Sequence, residues 1–169
     1  MFKNALLFLC LYFYSWTSYA LSIPDSIVNK CNTVKDVKIL SQQEKDVILY
    51  MNIARCYPEY FLDNIIYPYM DSAKTNKKTK YYKTLITDLS NSKPMRPLTF
   101  NEKIYHLTKY HAKDMGKHGK EGHNSTNGDT FEERTSEFRA GENCSYGYNN
   151  ALDIVFQKFT TLHLLHYYP

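Results

Sequence analysis

At two places in this chain a hydroxyl side chain three positions before a glutamate is followed by an apolar series at helical spacing. In Ser41-Gln42-Gln43-Glu44 the serine and the glutamate can satisfy each other's free backbone donors, and Val47, Ile48, Met51 and Ala54 continue on the helical period. The first helix therefore runs to Arg55 or Cys56, and Pro58 opens a further turn carrying Phe61, Ile65 and Ile66. Thr99-Phe100-Asn101-Glu102 repeats the signal, and behind it Ile104, Leu107, His111 and Met115 share one helical face. His111 thus points inward, where a histidine is more often a hydrogen-bonded core residue than a ligand. Gly116 and Gly119 stop this helix.

Between the two signals, Tyr81 to Leu89 reads as a short helix ended by Pro94 and Pro97. The lysines of the preceding stretch, Ser72 to Lys83, read as a solvated connector, since a nucleic-acid surface would add arginines and a recognisable module. Lys plus Arg number 21 against 17 Asp plus Glu, an excess too small to imply a nucleic-acid partner. Beyond Gly119, Glu121 to Asp129 is turn chemistry throughout, and Phe131 to Phe138 reads as a short helix carrying Arg134. Ala140 to Gly147 reads as a strand or extended turn, and Ala151 to Phe159 as a last helix. With 15% aromatic residues in 169, the chain has apolar material for one core and one domain.

The N-terminus predicts export. Lys3, the apolar run Ala5 to Tyr14, and small residues at Ser18 and Ala20 form a signal peptide over residues 1–20, cleaved after Ala20. The run is shorter than the ~20 apolar residues a membrane anchor needs, and no later stretch is long enough, so no transmembrane segment is expected after cleavage. Residues 21–39 lack a clear period and read as a leader onto the domain. Cys10 leaves with the signal, and Cys31, Cys56 and Cys144 remain for an oxidising compartment. One disulfide and one free thiol is the natural reading, with Cys31 and Cys56 the favoured pair, although spacing alone does not fix connectivity.

Five segments then occur in a telling order: Asn52-Ile53-Ala54-Arg55 with Pro58 and Phe61; Tyr110-His111-Ala112-Lys113-Asp114-Met115; Gly122-His123-Asn124-Ser125 with Asp129 and Arg134; Gly141-Glu142-Asn143; and Ala151-Leu152-Asp153-Ile154-Val155. Over roughly Leu40 to Phe156 the chain resembles the CAP superfamily, the SCP/PR-1-like domain of cysteine-rich secretory, antigen 5 and pathogenesis-related 1 proteins, and looks closest to its bacterial-type members. The resemblance implies an α+β fold, an α-β-α sandwich with a small antiparallel sheet between helical layers and a cleft on one side. That domain would span residues 40–169. The chain ends where the family's closing strands should begin, so the sheet is expected to be incomplete. The tail reads as that of a fragment, a shifted frame or a degenerate gene, the alternative being a short variant whose tail docks as a helix.

In the family the cleft holds two histidines and two glutamates that can bind a divalent metal. By motif, His123 matches the first histidine and Glu142 the glutamate of Gly-Glu-Asn, with His111 and Asn143 as possible contributors. Imidazole nitrogen and carboxylate oxygen are both good zinc ligands. The second family glutamate should fall near Gln157 or Lys158, where no carboxylate stands, and Asp153 lies one turn earlier. The last histidine is missing as a motif, although His163 and His166 follow. His123 and Glu142 alone imply at most weak zinc binding.

Two functions fit this reading. The first is a secreted, non-enzymatic binding module for an extracellular ligand, with lipid or sterol among the candidates, or for a protein partner. The second is a metal-assisted hydrolase or peptidase using the His123/Glu142 pair and a bound water. The chain has no Gly-x-Ser-x-Gly or His-Glu-x-x-His sequence. Asn124-Ser125-Thr126 and Asn143-Cys144-Ser145 are glycosylation sequons.

Overall fold

The computed structural model describes residues 22–138 and 140–161. The signal segment, Cys10, His163 and His166 lie outside them. The elements are α1 (Asp25–Cys31), α2 (Gln42–Cys56), α3 (Pro58–Phe61), a π-helical turn (Leu62–Ile66), α4 (Tyr67–Ser72), α5 (Lys80–Asn91), α6 (Glu102–His118), α7 (Phe131–Arg134) and α8 (Ala151–Thr161).

The serine capping box forms as expected. Ser41 Oγ accepts from the Glu44 amide at 3.3 Å, and the Glu44 carboxylate accepts from the Ser41 amide at 2.6 Å. Pro58 takes the first position of α3, where its missing N–H costs nothing. The second helix start differs from the Thr99-to-Glu102 box. Asn101 is the cap, its Oδ1 accepting from the Ile104 amide at 3.2 Å. With Asn101 as the cap, Glu102 is the first helical residue rather than the third, so it cannot close a box with Thr99. Gly119 ends α6 with φ +59°, a left-handed conformation that suits a residue without Cβ. The stretch expected to be an aperiodic leader instead contains α1, which buries Ile27 and Cys31 one turn apart against α2.

The main core is assembled from α1 to α5 and α8. Ile53, Phe61, Ile65, Ile66, Met70, Leu85, Leu89 and Val155 are at most 1% exposed within it. Helix α8 is fixed by aromatic contacts, Phe159 on Phe61 at 5.8 Å and Phe156 on Tyr69 at 5.0 Å between ring centroids. The Tyr69 hydroxyl also donates to Asp153 Oδ1 at 2.6 Å.

The expected α-β-α sandwich is corrected: the fold is helical, and no β-strand forms among the described residues. A strand exists only through a laddered partner, and both extended stretches spend their polar groups otherwise. In the segment after α5, Pro94 and Pro97 have no N–H, while the Met95 amide donates to Arg55 O at 2.7 Å and the Leu98 amide to Asn52 Oδ1 at 2.7 Å. The strap from Gly141 to Gly147 is tied by side chains. Tyr146 pairs with the Gly122 backbone, and the Ser145 hydroxyl donates to Gln157. The stretch from Ala140 to Gly147, read from sequence as a strand or extended turn, is an isolated extended strap.

Candidate functional site

Helices α2 and α6 turn apolar side chains toward each other across a gap that the main core does not fill. The result is a cleft of about 420 Å³. Leu40, Val47, Ile48, Ala112, Met115 and Ile154 supply its apolar wall, and Glu142, Asn143, Cys144 and His111 close its polar end.

Three segments meet at that polar end. Helix α6 delivers His111, which is 4% exposed. The turn after α6 delivers His123, next to Gly122, whose φ of +120° lets the backbone fold back toward the strap. The strap delivers Glu142 and Cys144, two positions apart in extended backbone and so on the same side. Glu142 Oε2 lies 3.0 Å from His123 Nδ1 and 4.0 Å from His111 Nε2. Cys144 Sγ lies 3.7 Å from the same His123 nitrogen. Arg134, in α7, donates to Glu142 Oε1 at 2.7 Å and to the His123 carbonyl at 2.6 Å. Helix α7 is held in place by a capping box the sequence reading missed, between Thr130 and Glu133.

The surrounding bonds define the imidazoles. His111 Nε2 donates to Gly122 O at 3.1 Å, and its Nδ1 is 3.4 Å from Ser125 Oγ. The Tyr146 hydroxyl donates to Gly122 O and accepts from Gly122 N, both at 3.0 Å. Burial pushes the Glu142 carboxyl up, but the hydrogen bonds from His123 and Arg134 and the Arg134 charge hold it below the usual carboxylate range. Burial pushes the Cys144 thiol up, with Glu142 adding to it. Lys158 in α8 is 5% exposed and its Nζ has no hydrogen-bond partner. Burial pushes this ammonium down, against the opposing pull of Cys144 and Glu142.

The structure thus brings His123, Glu142 and His111 together and puts Asn143 at the cleft's rim. Asp153 is turned away to Tyr69. Sequence reasoning passed over Cys144 and Lys158. The period-2 relation of Cys144 to Glu142 was the signal for the first, whereas nothing local marks Lys158. A nucleophilic cysteine relay does not follow from the geometry, because Cys144 and Glu142 both face Nδ1 of His123, leaving no second nitrogen between base and carboxylate.

For a divalent metal the donor chemistry fits. His111, Glu142 and Cys144 present ligand atoms that all lie within 4.8 Å of one another, and they combine donors that zinc accepts. A metal there would be held by these residues and would supply a Lewis acid or a structural tie.

A helical domain with a one-sided cleft, closed at its polar end by a His/Glu/Cys cluster, is the class of protein that fold and site define. The profile of the CAP family, the Cysteine-rich secretory protein family, matches residues 50–160, and the chain belongs to that family. No curated protein matches the chain, and no solved structure does.

Proposed function

We propose that this protein is a secreted, non-enzymatic binding module whose α2/α6 cleft takes an apolar extracellular ligand, a lipid or sterol, with its polar end toward Glu142 and Asn143. The carrying observation is the cleft itself: an apolar wall from Leu40 to Ile154 beside one small polar patch is the usual make-up of a site for a largely apolar molecule. Family membership supports export, as does the signal-peptide pattern of residues 1–20. No helix among the described residues is long and apolar enough to cross a membrane. Within the family, our reading of the sequence motifs takes the chain as closest to the bacterial-type members.

The test is displacement of a fluorescent fatty acid and of dehydroergosterol from purified full-length protein. Saturable binding of either, weakened at least tenfold by Ala112→Trp, is the expected result. Ala112 is solvent-exposed on α6 yet lines the cleft, so the indole fills the site without disturbing the core. No binding of either probe overturns the reading. The second reading, a metal-assisted hydrolase, draws on the accessibility of His123, whose side chain is 55% exposed beside Glu142. Zinc-dependent cleavage of casein or a peptide library, lost in His123→Ala, would put it first.

A further inference from the structure

The turn that joins α3 to α4 is wider than an α turn. Its closing bond runs from the Tyr67 amide to Leu62 O, five residues back, so Tyr67 stacks above Leu62 where an α turn would put Ile66. Ile66 enters the core and is fully buried, while Tyr67 is half-buried. With Tyr57, the residue that opens α3, and Tyr60 within it, Tyr67 lines a cavity of about 550 Å³ beside the end of α5. This cavity shares no lining residue with the α2/α6 cleft.

We propose that it is a binding site for a compact organic cation, a quaternary ammonium or alkylammonium group, held by tyrosine faces and two carboxylates. The site is independent of the reading given for the α2/α6 cleft.

The charge of the lining and its aromatic content carry the inference together. The whole chain is cationic, with 21 Lys plus Arg against 17 Asp plus Glu, yet among the described residues no Lys, Arg or His lines this cavity, whereas Glu59 and Asp63 both do. Neither carboxylate makes an ion pair or a side-chain hydrogen bond among the described residues. An anion is repelled here, and a neutral guest leaves both charges unused.

A cation over an aromatic face is attracted by the ring's quadrupole, and the attraction grows as water is excluded. One ring of the cavity already receives such a group from outside it: Lys30 Nζ of α1 stands 4.8 Å from the Tyr57 centroid. Tyr60 and Tyr67 carry no cation over their faces among the described residues. Lys77, whose charge reaches Tyr67, is paired with Asp71. Leu62 and Leu89, both buried, also line the cavity and offer N-methyl groups an apolar contact. A metal ion is the poorer occupant, since no three ligand atoms of His, Cys or carboxylate converge here among the described residues.

The test is calorimetric titration of purified full-length protein with choline and with its uncharged tert-butyl isostere. Choline should bind saturably, about fivefold tighter than the isostere, and more weakly as sodium chloride is added. Asp63→Asn, at an exposed position that spares the core, should weaken choline about threefold and leave the isostere unchanged. Tyr60→Leu should weaken choline further, and Tyr60→Phe, which keeps the ring face, should restore it. Ala112→Trp, in the other cleft, should leave choline binding unchanged. No saturable choline binding, equal affinity for choline and the isostere, or wild-type affinity in both Asp63→Asn and Tyr60→Leu would overturn the site. Once choline binds, pelleting of the protein with phosphatidylcholine vesicles identifies a lipid headgroup as the source of the cation, and no pelleting identifies a free solute.

Discussion

Asn52 is fully buried and uses both ends of its amide. Its nitrogen donates to Cys31 O at 2.9 Å and Leu98 O at 3.1 Å, while its oxygen accepts from the Leu98 amide at 2.7 Å. One side chain therefore satisfies the end of α1 and the extended segment before α6. Asn52→Ala strands several buried polar groups and should cost about 2–4 kcal/mol in urea unfolding. A loss below about 0.5 kcal/mol, the range of ordinary surface changes, would contradict that role. A second residue sets a pH response. Asp114 accepts from the Thr126 hydroxyl at 2.6 Å and the Thr126 amide at 2.8 Å, and these bonds, with the His118 and His111 charges, hold its carboxyl below the usual range. Because its folded value is depressed, its stabilisation of the loop is complete above the ordinary carboxylate pKa, ~3.9, and is lost as pH falls through the lower folded value. Protection of the Thr126 amide against hydrogen exchange should follow that course. Asp114→Asn should abolish the dependence, and a profile identical in both proteins would reject the assignment.

At the scale of elements, α1 has 7 residues, too few to persist alone in water, and it exists here because Ile27 and Cys31 dock on α2. Cys31 and Cys56 interact inside that contact, both buried. Burial pushes the Cys31 thiol up to about 12, with Cys56 adding to it. Both cysteines stand as free thiols in the structure, side by side in the α1/α2 contact. We expect exported protein to carry a disulfide between them, closing a loop of about 25 residues and adding roughly 3–4 kcal/mol. Peptide mapping without reduction checks it, and recovery of Cys144 linked to either partner would refute this pairing.

For the whole molecule, the decisive feature is that the main core draws on α1 to α5 and α8 but takes no buried residue from α6 or α7. Helix α6 instead buries His111 and Met115 at the cleft, so one wall of the cleft stands outside the main core. Such a unit opens at lower free energy than the core. Native-state hydrogen exchange should find the amides of α6 less protected than those of α2, with the gap narrowing when an apolar ligand fills the cleft. Equal protection in the two helices without ligand would show instead that the molecule opens as one unit.

The helices were largely legible because their causes are local. Ser41 and Glu44 sit three positions apart, Pro58 supplies its own φ, and Ile104 through Met115 share a face whatever surrounds them. The pairing of His123 with Glu142 was legible as well, through the motifs that carry the family resemblance. Other features depended on partners distant in the chain. The expected sheet does not form because both extended segments spend their backbone and side-chain polar groups on helices and turns. His111 becomes a neighbour of Glu142 only when the strap packs beside α6. Periodicity assigns a residue to a face, but which faces meet, and so which donors surround one point in space, is decided by the packing of the whole chain.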